Sequence, residues 1–75
     1  MEYKKAVECL NNSTPVIYKE IEYKKINAII FRININGKKV IQAELQDLKT
    51  DSVVICDLEK ISEVQEWEIN TWMLK

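Results

Sequence analysis

The side chains that could carry covalent chemistry have no histidine to activate them. The candidate nucleophiles are Cys9, Cys56, Ser13, Ser52 and Ser62, and the 75-residue chain contains no His. A nucleophile is weak at its ordinary pKa and needs an adjacent base or a lowered pKa. Two widely spaced cysteines do not form the framework of a small secreted domain, so we expect reduced, largely buried and inert thiols. We predict no catalytic residue.

Acidic pairs occur along the chain but do not indicate an acid–base site. Such charges on strands and turns usually form a solvated face, and nothing supplies the pocket that tunes a carboxyl pKa. No cysteine pair has zinc-ligand spacing, and a single glycine excludes a glycine-rich phosphate loop. We predict no enzyme activity, no metal site and no cofactor. The pairs are Glu20/Glu22, Glu44/Asp47, Asp57/Glu59 and Glu66/Glu68.

Positive charge is concentrated in the first half of the chain. Residues 1–39 carry eight Lys/Arg and four Glu, a balance of +4, whereas residues 40–75 carry three Lys and eight Asp/Glu, a balance of −5. This split suits head-to-tail self-association, an anionic partner or a solvated surface. With Tyr18 and Tyr23 as stacking surfaces, the cations could bind a nucleotide or a single-stranded nucleic acid. The candidate anion-binding residues are Lys24, Lys25, Arg32, Lys38 and Lys39.

Both tryptophans lie in the last nine residues of the sequence. Alternation of Trp67, Ile69, Thr71 and Met73 permits a strand there, although a helical turn is also possible. Tryptophan is enriched where binding energy concentrates, and a small domain short of core gains from association. This segment could cover its own domain or contact another chain. We predict a homo-oligomer with candidate interface residues Trp67, Ile69, Trp72 and Met73.

No apolar run in the sequence approaches the roughly 18 residues needed to span a membrane. The beginning of the chain, Met1-Glu2-Tyr3-Lys4-Lys5, lacks the apolar core of a signal peptide. We therefore expect a cytoplasmic protein with no membrane contact.

The elements that must position these residues begin with a short helix over residues 2–11. Tyr3, Ala6, Val7 and Leu10 form one apolar stripe at helical spacing. The following residues 11–15, which end in Pro15, favour a turn. Ten residues do not hold a helix in isolation, so this helix needs a sheet to lie on.

A β-hairpin is the clearest structural signal in the chain. Asn36-Gly37 lies between two runs of alternating apolar residues, and this dipeptide favours a positive-φ turn. A three-residue loop, Ile35-Asn36-Gly37, keeps each face of the hairpin consistent, whereas a two-residue loop mixes the faces. The register then pairs Phe31 with Ile41 and Ile29 with Ala43. Phe31, Ile41 and Ala43 should share one buried face with Cys56.

A second hairpin follows, with the connection at residues 48–51. It should place Leu45 opposite Val54, Ala43 opposite Cys56 and Ile41 opposite Leu58. The predicted strands are 16–19, 21–35, one strand on each side of the second connection, and 61–65. A helical turn at 57–60 precedes the last of these strands.

These elements predict a mainly β (α+β) fold, with a short N-terminal helix followed by a five-stranded, strongly bent antiparallel sheet or small barrel. We expect one domain over residues 1–75. It would comprise the helix at 2–11, a small β-barrel at 15–65 and a Trp-rich segment at 66–75.

Five short runs of the sequence form a recognisable set: PVIY at 15–18, IEY at 21–23, AIIFR at 28–32, ELQD at 44–47 and SVVI at 52–55. Together these runs resemble small uncharacterised accessory proteins of bacteriophages and mobile elements of low-GC bacteria. The architecture resembles a Src-homology-type or Sm-like barrel. The likeness spans residues 3–64, carries over no catalytic residue and leaves open whether the Trp-rich segment adds an interface. It implies a non-enzymatic module that binds a host protein, a nucleic acid or a signalling nucleotide, including as an inhibitor of host defence.

Overall fold

A computed structural model describes residues 1–64 of the chain. One short helix precedes six strands, and a 3₁₀ turn at Leu58–Lys60 lies before the last strand. The elements are α1 Tyr3–Asn12, β1 Val16–Tyr18, β2 Ile21–Tyr23, β3 Lys25–Ile33, β4 Lys39–Gln46, β5 Val53–Asp57 and β6 Ile61–Glu63. The prediction of a mainly β fold with an N-terminal helix is therefore confirmed.

Helix α1 lies one residue later than the predicted range 2–11. It buries Ala6 and Cys9 against the sheets, as its apolar stripe requires. Ser13 ends the helix in the left-handed conformation, with φ of 54°, and Thr14 donates its backbone N–H to the Cys9 carbonyl at 3.0 Å. Pro15 follows directly, so the chain leaves the helix and enters β1.

The strands form two three-stranded antiparallel sheets, in the orders β2-β1-β6 and β3-β4-β5. The predicted single strand over residues 21–35 is wrong, because it divides at Lys24 into β2 and β3, which belong to different sheets. The Lys24 N–H donates to the Gln46 carbonyl at 2.8 Å, and a bulge between Ile26 and Ala28 interrupts the register just beyond it.

The predicted five-stranded small barrel is accordingly incorrect for residues 1–64, which form six strands and no closed barrel. The physical reason is that β2 takes β1 as its partner while β3 takes β4. The two halves of the expected long strand thus have different neighbours.

The register of the first hairpin is confirmed. Phe31 pairs with Ile41 and Ile29 pairs with Ala43. Gly37 has φ of +81°, the left-handed conformation that glycine adopts at no steric cost. The Asn34 side chain completes the turn, because its Oδ1 accepts backbone N–H bonds from Asn36 and Lys38, both at 2.9 Å.

The second hairpin is confirmed in part. Leu45 pairs with Val54 and Ala43 with Cys56, as expected. The pair of Ile41 with Leu58 is not part of the ladder, which ends at Gln42 and Asp57. Leu58 begins the 3₁₀ turn, and its carbonyl accepts a hydrogen bond from the Met1 amino group at 3.0 Å.

The core lies between α1 and the two sheets, and both cysteines contribute to it as free thiols. This confirms the expectation of reduced, buried cysteines. Burial raises the pKa of the Cys9 thiol, with a further contribution from the Glu63 carboxylate, and burial also raises the pKa of Cys56. No helix among residues 1–64 is long and apolar enough to cross a membrane. The buried residues are Ala6, Cys9, Val16, Ile26, Ala43, Leu45, Cys56, Leu58 and Ile61.

Candidate functional site

The distal part of β3 exposes large apolar side chains that the register places toward the core side of the sheet. Phe31 is 65% exposed, Ile33 is 66% exposed and Ile35, in the turn, is fully exposed. The half-exposed ring of Tyr3 lies beside them, with its centroid 5.6 Å from that of Phe31. We call these four residues the hairpin strip: Tyr3, Phe31, Ile33 and Ile35.

The expected burial of Phe31 is therefore wrong, although its strand partner is correct. Ala43 and Cys56 are buried on the same face, while Ile41 is half-buried. The reason is the length of the covering helix. Ten helical residues extend about 15 Å, whereas the nine residues of β3 extend about 30 Å, so α1 covers only part of the strand. This comparison of lengths is a signal that the sequence itself contains.

An open stretch of sheet edge adjoins the hairpin strip. Because the ladder between β4 and β5 ends at Gln42 and Asp57, residues 39–41 of β4 have a strand partner only on the β3 side within the described part of the chain. A cleft separates this edge from the N-terminus and the 3₁₀ turn. Its walls include Met1, Tyr3, Lys39, Ile41, Leu58 and Glu59.

The structure divides the five candidate anion-binding residues into two groups. Arg32 pairs with Val40 and Lys39 pairs with Ile33, and Lys38 precedes Lys39 at the end of the turn. Because side chains alternate along a strand, Lys39 shares the sheet face of Phe31 and Ile33, whereas Arg32 lies on the opposite face. We call Arg32, Lys38 and Lys39, which lie near the hairpin turn, the tip cluster. Residues 1–64 contain one ion pair, between Lys5 and Glu63 at 3.0 Å, so no carboxylate of this range lies within 4 Å of the tip cluster.

Lys24 and Lys25 lie at the opposite end of β3. Seven residues separate Lys25 from Arg32, a distance of about 23 Å along a strand. The two lysines adjoin the loop at 47–51, which carries two aspartates. Tyr18 and Tyr23, the expected stacking surfaces, belong to the other sheet. One continuous patch of the five cations is therefore not formed.

The acidic loop is organised around Asp47. Its Oδ2 accepts hydrogen bonds from the Thr50 hydroxyl at 2.9 Å and from the backbone N–H groups of Lys49 and Thr50 at 3.0 and 2.8 Å. These bonds lower the pKa of the Asp47 carboxyl, with the Thr50 hydroxyl as the largest cause. The Asp47 carboxylate therefore stabilises the turn, and its Oδ2 already accepts hydrogen bonds from donors of the loop.

Among residues 1–64, no group of three or more His, Cys, Asp and Glu side chains is placed to hold a metal ion. The thiols of Cys9 and Cys56 have raised pKa values and are buried, which keeps them protonated and out of reach of a substrate. The candidate interface residues Trp67, Ile69, Trp72 and Met73 lie outside the described residues.

No protein-family model matches the chain, and the searches of curated proteins and of solved structures likewise found no match. Function must therefore be inferred from the geometry of the hairpin strip, the open edge and the tip cluster.

Proposed function

We propose that the protein is a non-enzymatic binding module that self-associates and contacts its partners through the hairpin strip. The observation that carries this proposal is the exposure of Phe31 and Ile33, each about two-thirds accessible on a hydrogen-bonded strand. Soluble monomers rarely expose contiguous apolar patches unless the patch has a binding role. An aromatic residue with aliphatic neighbours is a common anchor of protein interfaces.

The same geometry disfavours an enzyme. The buried thiols are the strongest nucleophiles available, and their raised pKa values oppose formation of the thiolate. The carboxylate with the lowered pKa, Asp47, is held by donors of its own loop. A binding role needs none of these groups, and it uses the surface that the fold leaves exposed.

The resemblance to phage and mobile-element accessory proteins supports one class of partner. In this proposal the hairpin strip binds or inhibits a protein of a bacterial host cell, including a component of a defence system, in the cytoplasm. Assembly of the protein with itself uses the same strip. Because Phe31 and Ile33 lie on a hydrogen-bonded strand, little backbone conformational entropy is lost when they bind a partner.

The tip cluster supports a second candidate function, which is binding of a nucleotide or a single-stranded nucleic acid. Arg32, Lys38 and Lys39 have no carboxylate of residues 1–64 within 4 Å, and Phe31, which shares a sheet face with Lys39, offers a ring for base stacking. Replacement of all three by Gln should weaken binding of single-stranded DNA and flatten its salt dependence. Replacement of Lys24 and Lys25 by Gln is the matched control, since this pair lies at the other end of β3.

Self-association is tested by sedimentation of the full chain over a range of concentrations. The double variant Phe31→Thr/Ile33→Thr should sediment as a monomer at concentrations where the wild type assembles. Threonine preserves β-propensity while it removes the apolar contact. Val53→Thr/Ile55→Thr is the matched control, because these β5 side chains are 49% and 46% exposed but lie away from the strip. Equal assembly of the two double variants would contradict the proposal.

A further inference from the structure

We propose that two copies of the chain pair along the free edge of β3, in antiparallel orientation about a two-fold axis at Phe31. This inference rests on the proposed self-association and names the strand that would carry it. The two sheets β3-β4-β5 would join into one continuous sheet, and the hairpin strips of the two copies would lie next to each other.

Strand β3 lies at the edge of its sheet. The strand order is β3-β4-β5, so within the described part of the chain β3 has a neighbour only on the β4 side. Next to the turn, the Asn34 N–H donates to the Lys38 carbonyl at 2.8 Å, which continues the register of the ladder. Because hydrogen-bonded and non-hydrogen-bonded pairs alternate in an antiparallel ladder, the main-chain N–H and C=O groups of Ile29, Phe31 and Ile33 point away from β4.

The second half of this edge has few of the features that prevent strand pairing. Natural edge strands are usually short, or they carry Lys, Pro or a bulge. A bulge between Ile26 and Ala28 disturbs the first half of β3, but the run AIIFRI at 28–33 contains a single charge and neither Pro nor Gly. The edge strands β2 and β6 have three residues each, and β5 has five and ends at Asp57. Among the described edges, β3 is therefore the one best suited to pair with an identical strand.

The residue pattern selects one register for this pairing. A two-fold axis at Phe31 places Phe31 opposite its own copy and Ile29 opposite Ile33, so one face of the new ladder is entirely apolar. On the other face, Arg32 lies opposite Ile30 of the second copy. An axis at Arg32 would place two guanidinium groups directly opposite each other, which is destabilising. An axis at Ile30 would extend the ladder into the bulge.

The position of α1 leaves room for the second copy. Tyr3, at the start of α1, contacts Phe31, and the helix packs on β3 and shares the core with Ile26. The helix therefore covers the half of β3 that precedes Phe31. Antiparallel pairing about Phe31 places this covered half beside the uncovered half of the other copy. The two helices, each about 15 Å long, are then staggered along the strands and do not overlap.

The contact area is small, so we expect a weak dimer. Phe31 and Tyr3 are 65% and 48% exposed, which leaves roughly 230 Å² of aromatic surface accessible in each copy at about 200 Å² per aromatic side chain. With Ile33 and the strand backbone, two copies would bury on the order of 1,000 Å², the lower limit of specific interfaces. Sedimentation should therefore extend from micromolar concentrations to several hundred micromolar.

Proline at position 33 tests the main-chain contact separately from the side-chain contact. The Ile33 N–H points away from β4, so Ile33→Pro should preserve the ladder between β3 and β4 and keep an apolar side chain while it removes one donor from each copy. We expect the dissociation constant to rise by roughly 10-fold or more, because the dimer loses two hydrogen bonds. Ile33→Val keeps the N–H and is the matched control, which should assemble as the wild type does. Urea denaturation at low protein concentration checks that both variants fold.

Cysteine cross-linking tests the register and does not depend on the proline variant. In a hydrogen-bonded antiparallel pair the Cα atoms are about 5.5 Å apart, which is within the range of a disulfide. Phe31→Cys should therefore form a disulfide-linked dimer under mild oxidation. Ile33→Cys is the matched control, because Phe31 and Ile33 are equally exposed but the proposed axis separates the two copies of residue 33 by about 14 Å. The wild type measures any background from the buried Cys9 and Cys56.

Four results would overturn the inference. Unchanged assembly of Ile33→Pro, with assembly still abolished in Phe31→Thr/Ile33→Thr, would show that the hairpin strip associates without the β3 edge, and the proposed self-association would stand. Cross-linking at position 33 that equals or exceeds that at position 31 would reject the register. Assemblies larger than a dimer that disappear in Val53→Thr/Ile55→Thr would assign the contact to β3 of one copy and β5 of another. A wild type that is monomeric at all concentrations would end both this inference and the proposed self-association.

Discussion

Replacement of Gly37 provides the sharpest test of the hairpin that carries the candidate surface. Gly37 has φ of +81°, and a Cβ built at this position meets no atom within 4 Å. Any loss of stability on substitution therefore reports the backbone conformation and not a steric clash. Asn is the matched control, because it adopts the left-handed conformation more readily than other non-glycine residues.

The expected magnitude follows from two opposing effects. A left-handed conformation costs an L-residue about 1–2 kcal/mol in the folded state. Replacement of glycine also restricts the unfolded chain, which stabilises the folded state by about 0.4–1 kcal/mol. For Gly37→Ala the two leave a net loss of about 1 kcal/mol, and Gly37→Val should lose more because a β-branched residue tolerates positive φ poorly. For a domain of this size, 1 kcal/mol corresponds to a fall in Tm of about 4–8 °C.

The assay is urea denaturation of the four chains at one protein concentration, since any self-association also contributes to apparent stability. We expect the order Gly, Asn, Ala, Val, with unchanged m-values. Equal stability of the Val and Gly chains would refute the assigned turn. A loss as large for Asn as for Val would show that a group other than the backbone of Gly37 is responsible.

The remaining predictions concern the core, the acidic loop and the thiols. Leu45→Ala should lower the free energy of unfolding by about 2–5 kcal/mol in denaturation experiments, because Leu45 is fully buried. Leu48→Ala should change the free energy of unfolding little, since Leu48 is 48% exposed. Hydrogen bonds lower the pKa of Asp47 in the folded state, so the stability that its carboxylate contributes is present above the unfolded pKa and is lost as pH falls through the folded pKa. Asp47→Ala should therefore lower Tm at neutral pH. The difference in Tm from the wild type should shrink in acid. Cys9 and Cys56 should react with iodoacetamide much more slowly in the native chain than in urea, and equal rates would contradict their burial and raised pKa values.

The two hairpin registers could be predicted because a slip of one residue moves every side chain to the other face. That constraint was sufficient to pair Phe31 with Ile41 and Ala43 with Cys56. It contains no information about which part of a face another element covers. The exposure of Phe31 follows from the lengths of α1 and β3 and not from the hairpin register.

The break at Lys24 could not be predicted from local residue preferences. Neither glycine nor proline marks the site, and apolar residues continue on both sides of it. The choice between one long strand and two short ones is made by pairing partners distant in sequence. A similar problem affects the turn before β2, where Lys19 and Glu20 adopt φ of 51° and 64° without the residues that usually favour positive φ. The predicted strands 16–19 and 21–35 imply a connection here but say nothing about its conformation.

The two sheets differ in the order in which they can form. In the sheet β3-β4-β5, the innermost pair, Ile33 and Lys39, is only six residues apart, and the next connection is also a hairpin. The sheet β2-β1-β6 joins Val16 to Glu63, 47 residues later. Closing a loop of 47 residues costs about 2 kcal/mol more than closing one of six by the logarithmic dependence of chain entropy on length. The meander β3-β4-β5 should therefore nucleate folding, and β6 should join last. The Lys5–Glu63 ion pair, which joins β6 to α1, should therefore form after the hairpin that carries the exposed strip.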